Sequence, residues 1–346
     1  MRDNGTDGDG EAASGRLVDI PYFDVARPAS EALMPLAADR LDALIDHGRR
    51  HYGELLLALA DRATRAWLRR SGNPYLEEIE AVRRRLGRSG AFMLNMSYEW
   101  SCTSGVAADP AGAGMRLLRT LDWPLHGLGQ AVVVARQPGN AGDYCNVTWP
   151  GYVGVLTGMA PGRFAAAINQ PPMRRSTPLL PVDWIIARRA VWRTCGLPPA
   201  HLLRRVFDEA RDYTEAKRML IDTPLCVPAF FSLTGAAAGE GCVIERLEAA
   251  AAVHEAPAGI SNHWVGFALR GRIRGLDSLG RRQQMLRIVG AADGDFSWLR
   301  PPILNPTTRL AVVANAATGL LRVQGWEREG PATTVFNLPV PENVAA

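Results

Sequence analysis

The sequence predicts an α+β layered domain, two packed sheets covered by helices, and three observations carry that reading. Apolar residues recur at helical spacing through the N-terminal hundred residues. Beyond Asn95 short strand-like runs alternate with Gly- and Pro-rich turns, and a long helical stretch divides two groups of such runs. With 346 residues, 47% of them hydrophobic, the chain can bury a large core and lies near the length at which a single core stops growing. One large domain with a helical N-terminal arm is therefore expected.

Residues 1–15 are rich in Gly, Asp, Asn and Ser and predict a frayed tail. Pro35 to Arg50, His51 to Arg70 and Pro74 to Leu86 follow as three helices, the last with a stripe of Leu76, Ile79, Val82 and Leu86. Asn73 before Pro74 fits an N-cap and first turn, and Gly87 a stop. Strands are expected at Met115 to Leu121, Ala131 to Ala135, Val153 to Leu156 and Phe164 to Ile168. A helix from Ala200 to Leu220 places Leu203, Val206, Phe207, Ala210, Tyr213 and Leu220 on one side. Further strands are expected at Ala229 to Leu233, Cys242 to Leu247, Leu310 to Ala314, Leu320 to Gln324 and Thr333 to Asn337, and no internal repeat is visible.

Composition narrows the chemistry. Cys102, Cys145, Cys195, Cys226 and Cys242 form no CxxC pair, and their odd number fits neither a disulfide framework nor a zinc ribbon. The net charge of +4 rests on arginine, since Lys217 is the only lysine and lies in a helical stretch, which argues against Schiff-base or Ser/Lys catalysis. Arg83, Arg84, Arg85 and Arg88 near a helix C-terminus suit the helix dipole and a solvated face better than a nucleic-acid patch. No run of about 18 apolar residues predicts a membrane span. Without a basic-then-apolar leader a cytoplasmic protein is expected, and the Asn-x-Ser/Thr triplets at Asn4, Asn95 and Asn146 carry no weight. No phosphate loop, EF-hand or His-Glu-x-x-His motif is present, so no cofactor or metal is implied.

The informative stretch is Asn95-Met-Ser-Tyr-Glu-Trp-Ser-Cys-Thr-Ser104, followed by Arg119-Thr-Leu-Asp-Trp-Pro124. An isolated cysteine is ordinarily a small buried hydrophobe. Here Cys102 begins a Cys-Thr-Ser run where the helical segment gives way to strands, and Arg119 stands 17 residues later in an Arg-x-x-Asp pattern. This arrangement resembles the nucleophile region of the cysteine N-terminal-nucleophile hydrolases, and most of all the acid ceramidase and N-acylethanolamine acid amidase branch of the choloylglycine hydrolase superfamily.

Further similar segments occur in the expected order. Trp149 to Met159 with Phe164 to Asn169 resembles a strand pair that ends in a pocket asparagine, here Asn169; Gly241-Cys-Val-Ile-Glu-Arg246 and then Ser261-Asn-His-Trp264 resemble the segment carrying an oxyanion asparagine, here Asn262; Asp277-Ser-Leu-Gly-Arg-Arg282 resembles the late arginine segment, with Arg281 preferred over Arg282.

The resemblance implies a four-layer αββα sandwich, a cut between Ser101 and Cys102, and a helical segment 16–101 that stays associated with a catalytic body 102–346. It implies Cys102, Arg119, Asp122, Asn262 and Arg281 as the catalytic set, with Asn169, Glu99, Trp123 and His263 in support. The implied substrate is a small N-acyl amide with an apolar acyl group. Acid-working members of the branch carry a leader that this chain lacks, so a bacterial homologue with an optimum nearer neutral pH is expected.

The chemistry needs those residue types. An amide is a poor electrophile, so hydrolysis without a metal requires an activated nucleophile and a preorganised oxyanion site. A cut before Cys102 would create an α-amino group with a pKa of about 7.7 to 8.0 beside a thiol near about 8.5. Base and nucleophile then belong to one residue. Arg119 is expected to favour the thiolate, Asp122 to accept from the new amine, and Asn262 to donate to the oxyanion.

Three other readings compete. A papain-type pair with His126, His254 or His263 lacks the surrounding motif. Acyl transfer of the isopenicillin N acyltransferase kind would use the same acyl-enzyme. A silent binding protein on the same fold would need a lost catalytic residue, and none is lost.

Overall fold

The computed structural model describes residues 17–26, 29–97, 100–272 and 274–338. The arm opens with β1 (Tyr22–Asp24) and continues through α1 (Ala29–Leu36), α2 (Ala38–Tyr52), α3 (Glu54–Arg70), α4 (Leu76–Leu86) and α5 (Ala91–Met96). Next come β2 (Ser101–Ala108), β3 (Met115–Asp122), β4 (Val133–Gln137), β5 (Tyr144–Thr148), β6 (Thr157–Ala160), β7 (Phe164–Asn169) and β8 (Met173–Arg174). Three helices follow: α6 (Leu180–Trp192), α7 (Pro199–Glu209) and α8 (Tyr213–Asp222). The remainder is β9 (Ala229–Gly235), β10 (Gly241–Arg246), β11 (Ala251–Glu255), β12 (Ala258–Ile260), β13 (Gly271–Arg272), α9 (Ser278–Ile288), β14 (Thr308–Asn315), β15 (Leu320–Glu327), β16 (Gly330–Pro331) and β17 (Phe336–Asn337).

Two large sheets face each other. One runs β1-β4-β5-β6-β7-β9-β10-β11, the other β12-β2-β3-β14-β15-β16 with β17 on β15. Only β1 and β4 pair in parallel among the named strands. Leu117, Leu121 and Val312 from one sheet join Ala166, Phe231 and Leu233 from the other in the main core. Both faces of the central strands are covered, which is why β3 and β14 are buried at every position. Outside the second sheet, Met285 of α9 and Val289 just after it pack on Ala107, Leu118, Ala311 and Val313. Outside the first, Phe207 of α7 stacks on Tyr144 and Phe164 at 5.0 and 4.9 Å. Helix, sheet, sheet and helix make the four-layer αββα sandwich.

Several expected elements shift for local reasons. The stretch from Pro35 divides, because Pro35 lies inside α1 and the chain turns at Ala37 before α2 begins. The helix foreseen from Ala200 to Leu220 is two, since Ala210 is extended and Asp212 caps α8 by accepting from Glu215 N at 2.8 Å. The helix expected from Pro74 begins at Leu76, and the Asn73 side chain accepts instead from Tyr75 N at 2.9 Å, while Gly87 ends it in the left-handed conformation. Val153 to Leu156 is a buried connection rather than a strand, with Val155 N bonded to Ala200 O. Only Phe336 and Asn337 of the last run pair with β15, whereas Thr333 bridges to Val18.

The arm is tied to the body through buried polar groups. Within the arm, Asp61 of α3 accepts from Gly90 N and Met93 N at 2.8 and 2.9 Å and so holds α5 in place. Asn95 donates to Gly151 O and accepts from Val153 N, so the chain enters β2 at a fixed place. That burial removes Asn95 as a surface glycan acceptor, and Asn146 is equally buried. Arg83 pairs with Glu80, Arg88 with Asp42 and Asp46, and Lys217 with Glu255. No helix among the described residues is long and apolar enough to cross a membrane. The tail 1–15 and Glu99 lie outside the described residues.

Candidate active site

Strand periodicity sorts the site. Cys102 lies opposite Leu121 and Ser104 opposite Arg119 in the β2–β3 ladder, so with side chains alternating, Cys102, Ser104 and Arg119 face the space between the sheets. Three positions after Arg119, Asp122 falls on the other face, toward α9. β12 pairs with β2 as far as Ile260 opposite Ser104, and the chain running on brings Asn262 beside Cys102.

Each polar atom of Cys102 has a partner from a different element. Its N–H donates to Asn262 Oδ1 at 3.1 Å, its carbonyl accepts from Arg281 Nη1 at 2.8 Å, and its Sγ accepts from Arg119 Nη2 at 3.5 Å. Arg281 is fully buried and also donates to Thr103 Oγ1 (2.9 Å), Asp122 Oδ2 (3.3 Å) and Asn262 Oδ1 (2.8 Å). Arg282 instead donates to Gly259 O, away from the cysteine. Asn169 accepts from Ser104 Oγ and donates to Ile260 O, joining β7 to the strand that leads to Asn262.

Two of the expected contacts are arranged differently. Asp122 was expected at the Cys102 amine; that place is held by Asn262 Oδ1, while the carboxylate receives Arg281 and Thr308 Oγ1, the latter at 3.0 Å. The opposite faces of a strand separate them. Asn262 Nδ2 donates to Gln170 O at 2.7 Å, which takes one of its two hydrogens.

Arg119 was expected to favour the thiolate, and it does pull the Cys102 thiol down. In the intact chain burial outweighs it, and the Cys102 thiol is pushed up to about 11, with Arg119 and Arg281 pulling down and Asp122 pushing up. Arg119 Nε and Nη1 have no protein partner although the side chain is fully buried.

The supporting residues divide. His263 Nδ1 lies 2.8 Å from Ser278 Oγ, which also accepts from Asn262 N at 2.9 Å. Trp123 is buried in the main core and its backbone N–H donates to Thr307 O. His126 is exposed beside Glu327 and His254 lies against Glu245, so neither forms a pair with Cys102. Residues not anticipated from sequence are Thr103, Ser278 and Gly275. The last has φ of +68°, and a Cβ there would lie 2.5 Å from Ser101 Oγ, so this turn seats directly on the residue before Cys102. The Asp277-Ser278 pair opening α9 was the available signal, a cap followed by a helix.

Of the other four cysteines, Cys195 is exposed while Cys145, Cys226 and Cys242 are buried. Burial pushes the Cys145 and Cys242 thiols up to about 11 and Cys226 further. In the intact chain a small alkylating reagent is therefore expected to label Cys195 first and to leave Cys102 unmodified, as read by peptide mapping. Fast labelling of Cys102 in uncut protein would contradict the burial described here.

Two facing sheets flanked by helices are the fold of the N-terminal-nucleophile hydrolases. The Caenorhabditis elegans ortholog of N-acylethanolamine-hydrolyzing acid amidase superposes with a TM-score of 0.50 at 23% identity, covering 69% of this chain and 100% of that one. In sequence the chain is 38% identical to acid ceramidase of Heterocephalus glaber over 100 residues, 29% of this chain and 24% of that protein. It is 25% identical to acid ceramidase of Bos taurus over 244 residues, 64% of this chain and 58% of that protein. The matched region thus spans about a quarter to somewhat over half the length of these relatives. No family model matches.

Proposed function

We propose that this chain is a cysteine amidase that is cut between Ser101 and Cys102 and then hydrolyses an N-acyl amide through a thioester on Cys102. The observation that carries the reading is the threefold engagement of one residue: Cys102 N–H on Asn262, its carbonyl on Arg281 and its Sγ on Arg119. A structural cysteine in a strand needs none of these side chains. Similarity to acid ceramidases supports an amide substrate, with an apolar acyl group and a small polar amine.

On this reading segment 16–101 and body 102–346 become associated fragments, because separation would strip the apolar arm residues Leu68, Ile79 and Val82 from Val153 and Cys226. The cut frees the Cys102 nitrogen as an amine held by Asn262 Oδ1. Opening the bond also admits water beside Sγ, which lowers the desolvation that keeps the thiol protonated.

The amine takes the Sγ proton as sulfur attacks the substrate carbonyl carbon. Asn262 Nδ2 donates its second hydrogen to the resulting oxyanion. Collapse breaks the C–N bond, and the α-ammonium returns its proton to the departing amine. Water, deprotonated by the α-amine, then attacks the thioester, releasing the carboxylic acid and restoring the thiol.

Mass spectrometry of matured protein mixed with an N-acylethanolamine and quenched in acid is expected to show an acyl adduct on Cys102. Cys102→Ala is expected to give neither adduct nor product. Turnover by Cys102→Ala, or an adduct confined to another cysteine, would overturn the reading.

A further inference from the structure

Asn262 is held in place on both sides, and both holds come from residues outside the catalytic set. Upstream, Ser278 Oγ fixes its backbone N–H. Downstream, the chain continues through Trp264 into an exposed segment whose Val265 and Gly266 both turn their backbone N–H groups inward, to one atom: Glu245 Oε1, at 2.9 and 3.0 Å. His254 Nε2 lies 3.0 Å from the same oxygen. Glu245 itself is fully buried in β10, where a carboxylate is costly unless hydrogen bonded, and all three of these contacts fall on Oε1 while the buried Oε2 has no partner. A side chain that only filled this strand would be apolar. The Trp264 ring is packed edge-on between Phe230 and Phe267, at 4.9 and 5.5 Å, so the segment between the anchors has little slack.

We propose that Glu245, aided by His254, is a positioning residue: it clamps the segment after Asn262 so that the Asn262 amide stays on the Cys102 nitrogen. The kinetic part of this proposal rests on the amidase reading. Glu245 touches neither Cys102 nor Asn262, so it acts only through the backbone at Val265 and Gly266. Gly266 supplies a second handle, because a Cβ there would lie 2.7 Å from Ala252 Cβ and 3.2 Å from His254 Nε2 and would push the segment off β11.

The test uses full-length protein. Hydrogen exchange is measured in a Cys102→Ala background, so that every variant is the same uncut chain. Glu245→Ala should speed exchange of the Val265 and Gly266 amides about tenfold or more. Glu245→Gln, which keeps an acceptor oxygen, should retain most of the protection. With Cys102 present, Glu245→Ala and Gly266→Ala should lower kcat on the order of a hundredfold, with KM within about threefold, as expected for a displaced catalytic group. Glu245→Gln should restore kcat to within about threefold of wild type.

Wild-type exchange and kcat in Glu245→Ala, beside a cut and active wild type, would overturn the clamp and leave the amidase reading intact. The expected exchange pattern with no amide hydrolysis by wild type would overturn the kinetic claim through the amidase reading. Equal kcat losses in the Ala and Gln variants, matched by equal losses of thermal stability, would reduce Glu245 to a general structural role and overturn the proposal.

Discussion

Asn262→Ala is expected to lower kcat by about 10²- to 10³-fold, or roughly 2.7 to 4 kcal/mol of transition-state stabilisation, with a much smaller change in substrate binding. Two functions of the amide are lost together: Oδ1 accepts from the Cys102 nitrogen, and Nδ2 is the proposed oxyanion donor. Asn262→Asp separates them. A carboxylate keeps an acceptor beside Cys102 N and gains an ion pair with Arg281, which already lies 2.8 Å from Oδ1, but has no hydrogen for an oxyanion. If donation is the larger part, Asp is as poor as Ala or worse, since its charge repels the oxyanion. An Asp variant near wild-type kcat would assign Asn262 to holding the amine alone. Because the cut is expected to use the same contact, rates are compared on protein whose N-terminal Cys102 has been verified.

Arg281→Met is expected to abolish the cut and to cost about 3 to 5 kcal/mol of stability, because one partner of a buried pair disappears and leaves the other charge uncompensated. That partner is Asp122, whose carboxyl burial pushes above its ordinary value while Arg281, Asn305 and Thr308 pull it back. Removing the largest of these pulls raises it further. A carboxyl whose folded pKa lies above its unfolded value loses folding stability as pH rises above the unfolded pKa, the loss reaching its full size above the folded pKa. The deficit of Arg281→Met relative to wild type should therefore be widest near neutral pH and should narrow on acidification as Asp122 takes up a proton. Chemical denaturation across that range measures it; a deficit independent of pH would show that Asp122 is not the group left exposed.

The main layers were legible because buried central strands have a simple signature. β7 and β14 are built on short apolar runs closed by turns, β3 on Leu117, Leu118 and Leu121, and their positions were read closely. β2 was not, since Ser-Cys-Thr-Ser-Gly-Val-Ala-Ala has little intrinsic strand preference and is strand only because β3 and β12 pair on either side of it. α9 escaped notice for a related reason: Arg281 and Met285 are the buried residues of an otherwise polar helix, too few to make a periodic stripe. Continuous apolar spacing hid the break between α7 and α8, although Asp212 carried the capping signal.

At the site, the order of the motif residues brought the right segments to notice. What it did not convey was the partition of contacts. Which oxygen meets the Cys102 nitrogen depends on a strand face for Asp122 and on a chain crossing that brings in Asn262 from 160 positions away. Neither local propensity nor spacing encodes that. Arg119 is a parallel case, because the sequence supplies the cation that favours the thiolate but not the depth of burial that outweighs it in the intact chain.

Intact mass spectrometry of purified wild type and Cys102→Ala tests the central claim most directly. Wild type is expected to give two masses, Met1 to Ser101 and Cys102 to Ala346, that elute together under native conditions, and Cys102→Ala a single full-length mass. A wild-type preparation that hydrolyses an N-acyl amide while its Ser101–Cys102 bond remains intact would contradict the account, because the amine proposed as base would not exist.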